Sequence, residues 1–155
     1  MSQAFWDWSL NCYDEPDVRE AALALQDDHD LNVNILLWCC WLAGEGRDAA
    51  PCLPAAISTL EPWSRDITRA IRETRKKLKS HPGAESLYKA ILACELDAEH
   101  IEQDLLFELA SDSAESALPP PETALGSLRA YGRLSGVEAD FTDFVKAVFP
   151  GVKKV

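Results

Sequence analysis

The segment LNVNILLWCCWLA, from Leu31 to Ala43, constrains the fold more than any other part of the chain. Apolar side chains fall on all sides of a helix built from it, and a soluble protein holds such a helix only where neighbouring elements cover every side. The segment is too short for a bilayer, which needs about 20 residues. Gly44 and Gly46 follow it, and glycine is typical of a helix C-terminus. The sequence therefore predicts a central, buried helix.

Amphipathic segments before and after this helix in the sequence are expected to pack against it and bury it. Residues 2–13 predict a short helix that turns Trp6, Leu10 and Tyr13 to one face, and residues 14–30 predict a second helix. After the central helix we expect a proline-containing loop with one short turn at 55–60. Two short helices are predicted near the C-terminus, after a polar, proline-ended segment at 111–121 that we interpret as a possible flexible linker.

The region from Pro62 to Ala110 predicts a helical hairpin, because the turn Ser80-His81-Pro82-Gly83 divides two helical patterns. Apolar residues of the second helix are spaced alternately by four and three, as in the seam between paired helices. They are Leu87, Ile91, Cys94, Ala98, Ile101 and Leu105. The sequence as a whole predicts an all-α compact bundle of about six to seven helices in a single domain, 1–155, with a central helix at 31–43 and a hairpin at 62–110.

Charge is distributed unevenly. The chain carries a formal charge of -11, which argues against general affinity for DNA or for anionic membranes, because both would be repelled. Residues 61–80, however, hold seven bases and three acids. Five of these bases share one face of the predicted helix: Arg65, Arg69, Arg72, Lys76 and Lys79. This face is suited to an acidic protein or to RNA phosphate, or else it pairs with the acidic helix that follows.

The five cysteines are an odd number and include no C-x-x-C pair, which favours free thiols in a reducing compartment. The start, SQAFWDWSL, lacks the basic residues and the apolar core of a signal peptide. We therefore expect a cytoplasmic protein with no membrane partner.

A candidate polar site lies around the junction of the second and third helices, at Asp28, His29, Asn32 and Asn34. Carboxylate and imidazole together can bind a metal or perform acid-base chemistry. The same residue types also cap helices, which is the alternative interpretation. Asn34 is a special case, because a buried amide must find hydrogen-bond partners. It can bond a loop backbone, fix the helix register or contact a substrate.

The aromatic start raises a packing problem. Phe5, Trp6 and Trp8 lie within four residues and cannot all face inward on one short helix. We expect at least one of them at the surface, where tryptophan often anchors a protein partner. Trp6 and Trp8 are therefore candidate interaction residues.

Catalytic and metal-binding signatures are scarce. Asp97 and His100, with Glu95 and Glu99, resemble one half of a di-iron carboxylate site, but the second half is not found in the sequence and a solvated face is the simpler interpretation. We find no glycine-rich phosphate loop, serine elbow or zinc-spaced cysteine set. We therefore predict no catalytic residue, no metal and no cofactor.

Two stretches carry a family resemblance: FWDWSLNCYDEPDVREAALALQDDHDLNVNILLWCCWLA and EPWSRDITRAIRETRKKLK. With them the chain resembles a family of small uncharacterised proteobacterial proteins found in groups such as pseudomonads and vibrios. The resemblance implies a bacterial cytosolic protein but supplies no activity and no catalytic residues.

Two hypotheses for function follow. The first is a non-catalytic interaction module, an adaptor or regulator, that uses the basic helix and the aromatic start against a protein or ribonucleoprotein partner. The second is a small helical enzyme or ligand-binding protein with a polar site near residues 28–34. The sequence favours the first and leaves the oligomeric state open.

Overall fold

The predicted central helix is α3, Val33–Gly44, in the computed structural model of the chain, which describes residues 2–152. Met1 and residues 153–155, the ends of the predicted domain, lie outside the described residues. Nine of the 12 residues of α3 are buried, which confirms the central position. The helix begins two residues later than predicted, because Asn32 caps it. Leu31 is buried but precedes the cap.

The described helices surround α3 and confirm an all-α bundle. They are α1 (Ser2–Tyr13), α2 (Pro16–His29), α4 (Leu53–Trp63), α5 (Arg69–Leu78), α6 (Glu85–Leu109), α7 (Pro120–Leu134) and α8 (Thr142–Val148). Short 3-10 turns occupy Ala50–Cys52, Ala110–Asp112 and Pro150–Val152. Two-residue strands, β1 (Arg47–Asp48) and β2 (Ala114–Glu115), pair antiparallel with Arg47 opposite Glu115.

The helical region that leads into the hairpin starts earlier than predicted. It was expected to begin at Pro62, but α4 begins at Leu53 and holds Pro62 within it. Proline has no N–H, so it cannot make the usual bond to the carbonyl four residues earlier. The chain continues through a π turn, Ser64–Thr68, in which the N–H of Arg69 bonds the carbonyl of Ser64 five residues back. This turn joins α4 and α5.

The C-terminal helices complete the core. Helix α7 packs against α3, and α8 packs against α2. Leu128 of α7 and Phe144 of α8 are buried in the same hydrophobic cluster as Trp38 of α3. Helices α7 and α8, which follow residue 118, therefore share the core formed by the N-terminal helices.

The segment 111–121, which we interpreted as a possible flexible linker, is held at several points. Arg47 Nε donates a hydrogen bond of 2.6 Å to Oγ of Ser113, which is buried. The N–H of Ser116 donates to the carbonyl of Gly46 at 2.9 Å. Pro120 begins α7, where its fixed backbone angle suits the first helical turn.

The inward face of α1 differs from the prediction. Phe5 and Ser9 are buried, whereas Leu10 is exposed and Trp6 is half-buried. The ring of Phe5 packs 5.1 Å from that of Trp41 on α3, which fixes this orientation. Helix α1 is therefore rotated relative to the face expected from its tryptophan and leucine spacing.

Helices α5 and α6 form the predicted hairpin, but the seam on α6 was wrong. Of the predicted seam, Ala98 is buried, whereas Leu87, Cys94 and Ile101 are exposed. The buried residues of α6 are Glu95, Ala98, Glu102, Gln103 and Leu106. Polar contacts fix the rotation of α6 about its own axis. Arginines of α5 bind Glu95, and asparagines at the start of α3 bind Glu102.

Candidate functional site

Asn32 is the centre of a polar network at the N-terminus of α3. Its Oδ1 caps the helix by accepting from the N–H of Asn34 at 2.8 Å and of Ile35 at 3.2 Å. Its Nδ2 donates to Oε1 of Glu102 at 2.9 Å. Its backbone N–H donates to the hydroxyl of Tyr131 at 2.9 Å. One residue thus connects the start of α3 to both α6 and α7.

Asn34 extends the network to α1. Its Nδ2 donates to Oε1 of Glu102 at 3.2 Å, and its Oδ1 accepts from Nε2 of Gln103 at 3.1 Å. The same Nε2 donates to Oγ of Ser9 at 2.9 Å. The partners that a buried amide requires therefore belong to α6 rather than to a loop: the side chains of Glu102 and Gln103 and, at 3.4 Å, the backbone carbonyl of Glu99.

Glu102 has one oxygen in use and one without a partner. Glu102 is only 2% exposed, and its Oε1 accepts hydrogen bonds from the side-chain amides of Asn32 and Asn34. No described residue donates to Oε2. Buried polar groups nearly always have a partner, so this oxygen calls for an explanation.

A small cavity of about 110 Å³ adjoins this network. Its polar lining comes from the six helices α2 to α7, their caps and the π turn. It comprises Gln26, Asp30, Asn32, Asn34, Glu61, Ser64, Arg69, Arg72, Glu99, Glu102, Tyr131 and Ser135. Ser64 lies in the π turn after Pro62, so the irregular helix brings its hydroxyl to the cavity. Burial raises the pKa of Tyr131, so its phenol stays protonated near neutral pH.

A layer of ion pairs lies beside the cavity, between α5 and α6. Arg72 Nε binds Oε2 of Glu95 at 3.0 Å, and Arg75 Nε binds the other oxygen of the same carboxylate. Arg72 also lies 3.5 Å from Oε2 of Glu99. Burial raises the pKa of Glu99 to about 7, with contributions from the charges of Glu95 and Glu102 and an opposing one from Arg72. Glu99 therefore titrates near neutral pH.

The predicted basic face is partly used within the molecule. Arg65 binds Asp66 at 2.9 Å, and Arg69 binds Asp30 at 3.3 Å. Arg72, as described, pairs with the acidic helix. Lys76 and Lys79 are exposed and form no ion pair with any residue that the structure describes. The free positive charge of this face is thus concentrated towards the hairpin turn.

The predicted polar set is divided between two places. Asn32 and Asn34 line the small cavity, whereas Asp28 and His29 line a broad groove of about 1400 Å³ formed mainly by α1, α2 and α8. The division follows from the turn at Asp30. Asp28 and His29 are the last two residues of α2, whereas Asn32 caps α3 and Asn34 lies in its first turn. The four side chains therefore do not share one cavity.

The candidate aromatic residues have separate surroundings. Trp6 stacks on His100 of α6, with ring centroids 4.2 Å apart and planes inclined by 7°. Trp8 is half-buried and lines the groove that holds Asp28 and His29. Within residues 2–152, no group of three or more His, Cys, Asp or Glu side chains is arranged to hold a metal ion.

Sequence reasoning missed Glu102 and Tyr131 as site residues, and it assigned Glu99 to a solvated face. A signal was available, because Glu95, Glu99, Glu102 and Leu106 repeat at four, three and four. This spacing equals that of the apolar seam, but carboxylates are normally assigned to solvent. Tyr131 had no local signal, since its partner Asn32 lies 99 residues away.

The fold and the site define a small all-α protein with a polar network at the start of its central helix. The family described as "Protein of unknown function (DUF2390)" matches residues 4–106, and the chain belongs to this family. The matched region includes the two asparagines and the three glutamates of the cavity lining but ends before Tyr131. Comparisons with curated proteins and with solved structures give no significant match. None of the described helices is long and apolar enough to span a bilayer.

Proposed function

We propose that the chain is a non-catalytic interaction module that binds a protein partner through the outer half of the α5–α6 hairpin. The observation that carries this proposal is that this half adds nothing to the core. Helix α5 has no buried residue, and the buried residues of α6 begin only at Glu95. Side chains that do not stabilise the fold of their own chain are available to bind another.

An apolar stripe starts in the outer half of the hairpin and continues along α6 past Glu95. Leu87, Cys94 and Ile101 are spaced by seven residues, so they lie on one face of α6. Leu87 is 52% exposed and Ile101 is 42% exposed. Apolar side chains repeated in this way on a helix are typical of a surface that a second helix or a groove covers.

Lysines lie at the end of the hairpin that holds its turn. Lys76 and Lys77 in the last turn of α5 and Lys79, which follows the helix, are exposed just before the turn that leads to Leu87. We call these three lysines, together with Leu87, Cys94 and Ile101, the hairpin surface. In a chain of formal charge -11, this concentration of positive charge favours an acidic partner surface.

The partner that we propose is a protein whose apolar surface is bordered by acidic residues. RNA fits less well, because single-stranded RNA is usually held by aromatic rings that stack on bases. The exposed large apolar residues of the hairpin are aliphatic: Leu87, Leu92, Leu96 and Ile101.

Cys94 allows a direct test, because it is the one exposed cysteine of the five. A photocrosslinker on Cys94 would be compared with one on an engineered Glu115→Cys, in a Cys94→Ser background. Glu115 is exposed in β2, outside the hairpin. We expect a protein adduct from Cys94 alone, and its loss after Lys76→Glu, Lys77→Glu and Lys79→Glu are combined.

The captured protein would then be purified and its affinity for the chain measured. We expect the triple substitution to weaken binding by about tenfold or more, and added salt to weaken it in the wild type. Equal adducts from both positions, an adduct that survives the charge reversal, or an RNA adduct would contradict the proposal.

Residence in the bacterial cytoplasm is part of the proposal. Support comes from the five cysteines, all of which are free thiols, and from the resemblance to small proteobacterial proteins.

A second function, binding of a small ligand, is favoured by one specific observation, the unpartnered oxygen of Glu102 beside a polar cavity.

A further inference from the structure

Among the described residues, no arginine or lysine forms an ion pair with Glu102. The arginines around it are already bound: Arg72 and Arg75 to Glu95, and Arg69 to Asp30. Burial removes water from a carboxylate, and without a donor in its place this is unfavourable. The network therefore lacks one cationic or hydrogen-bond-donating group at this point.

The cavity has room for that group. Its volume of about 110 Å³ exceeds the roughly 30 Å³ that one water occupies in the liquid, so a molecule of a few heavy atoms fits. Asp30 and Ser135 are exposed residues of its lining, which places one side of the cavity at the surface. A small solute can therefore reach Glu102 from the side where α2 and α7 end.

The lining selects the chemistry of the solute. Glu99 and Glu102 present carboxylates, which disfavour an anion and accept hydrogen bonds. The arrangement does not suit a metal ion, as no set of three or more suitable ligands occurs among the described residues. An ammonium group supplies both a positive charge and three donors.

We propose that this cavity binds a small protonated primary amine, whose ammonium group donates to Oε2 of Glu102 and to the carboxylate of Glu99. The Asn32 and Asn34 amides hold the other oxygen of Glu102 and so orient its carboxylate towards the amine. The inference does not depend on the hairpin surface, and either proposal can fail without the other.

Titration of the full chain with methylammonium chloride, followed by NMR, tests the proposal. The signals to follow are the side-chain amides of Asn32 and Asn34, which contact Glu102 directly. Tetramethylammonium has the charge but no N–H, and acetamide has N–H groups but no charge. We expect saturable shifts with methylammonium only.

Each other outcome overturns the proposal. Saturation by acetamide to the same extent would indicate a neutral ligand, and equal shifts with tetramethylammonium would indicate a general salt effect. Absence of saturable shifts with any of the three would mean that the network serves only the fold.

Substitutions identify the residue responsible. Glu102→Gln keeps an acceptor for the asparagines but removes the charge, and we expect methylammonium to bind about tenfold more weakly or worse. Glu108→Gln, on an exposed residue of the same helix, is the matched control and should bind as the wild type does. If Glu102→Gln does not fold, Glu99→Gln replaces it, with an expected loss of about threefold or more. Wild-type affinity in the folded cavity variant would contradict the inference.

Discussion

Glu99 should make the stability of the protein depend on pH near neutrality. Its pKa rises from an ordinary value of 4.5 to about 7, chiefly through burial. Because the folded-state pKa lies above the unfolded one, the folded state binds this proton more tightly. The stabilising contribution is fully present below pH 4.5 and is lost as the pH rises to about 7. At about 1.4 kcal/mol per pKa unit, the free energy of unfolding should fall by about 3 kcal/mol.

Glu99→Gln removes this dependence, because glutamine is neutral in both states. The substitution also gives up the 3.5 Å contact with Arg72, but that charge already opposes the rise in the pKa of Glu99 and is included in the value of about 7. At pH 8 we therefore expect the variant to be more stable than the wild type by about 3 kcal/mol. At pH 4.5 it should be equally stable or slightly less so.

Urea unfolding followed by circular dichroism, at intervals between pH 4.5 and 8.5, measures the difference. Glu108→Gln removes an exposed carboxylate from α6 and controls for the change in net charge. A Glu99→Gln variant that is destabilised by the same amount at both ends of the range would refute the reasoning. It would mean that Glu99 ionises in the folded protein without a penalty.

Three further predictions concern packing and exposure. Gly126→Ala should raise the free energy of unfolding by about 0.5–1 kcal/mol, because nothing lies within 4 Å of the added carbon. Gly132→Ala on the same helix should lower the free energy of unfolding by about 1–3 kcal/mol, because the added carbon would lie 3.2 Å from the ring of buried Phe141. Urea unfolding measures both variants, and equal effects of the two substitutions would contradict this prediction. Leu128→Ala should lower the free energy of unfolding by about 2–5 kcal/mol and leave a single cooperative thermal transition. Two thermal transitions would mean that α7 unfolds independently of the core, which would contradict the shared core. A thiol reagent should modify exposed Cys94 first, half-buried Cys12 more slowly, and buried Cys39, Cys40 and Cys52 only on unfolding, as counted by mass spectrometry.

The elements that could be predicted from sequence are those that local pattern determines. The Leu31–Ala43 segment is apolar on every side, and only burial accommodates that composition. The hairpin turn at 80–83 breaks the helix by itself, through proline and glycine. Both features are recognised without knowledge of what lies opposite.

The errors arose where a distant partner decides the outcome. The face of α6 was predicted from its leucines and isoleucines, but the bonds from Arg72 to Glu95 and from Asn32 to Glu102 turn the helix and bury carboxylates. Pro62 was assigned to a helix start, where it is usually found, yet a π turn accommodates it within a helix. No local pattern carries either piece of information.

The candidate site was predicted in part for the same reason. Asn32 and Asn34 were selected because polar residues stand out beside an apolar helix. Asp28 and His29 were grouped with them by closeness in sequence, but the turn between α2 and α3 sends them to a different groove. The glutamates and Tyr131 that complete the site come from helices 65 to 99 residues away.

The affinity of the captured partner for two matched double variants tests the role of the hairpin surface most directly. Leu87→Ser with Ile101→Ser removes two exposed apolar residues of the hairpin, and Leu10→Ser with Leu23→Ser removes two from α1 and α2. By isothermal titration calorimetry, we expect the hairpin pair to weaken binding by about tenfold or more and the other pair to leave it unchanged. Wild-type affinity in the hairpin variant, or an equal loss in both, would contradict the proposed function.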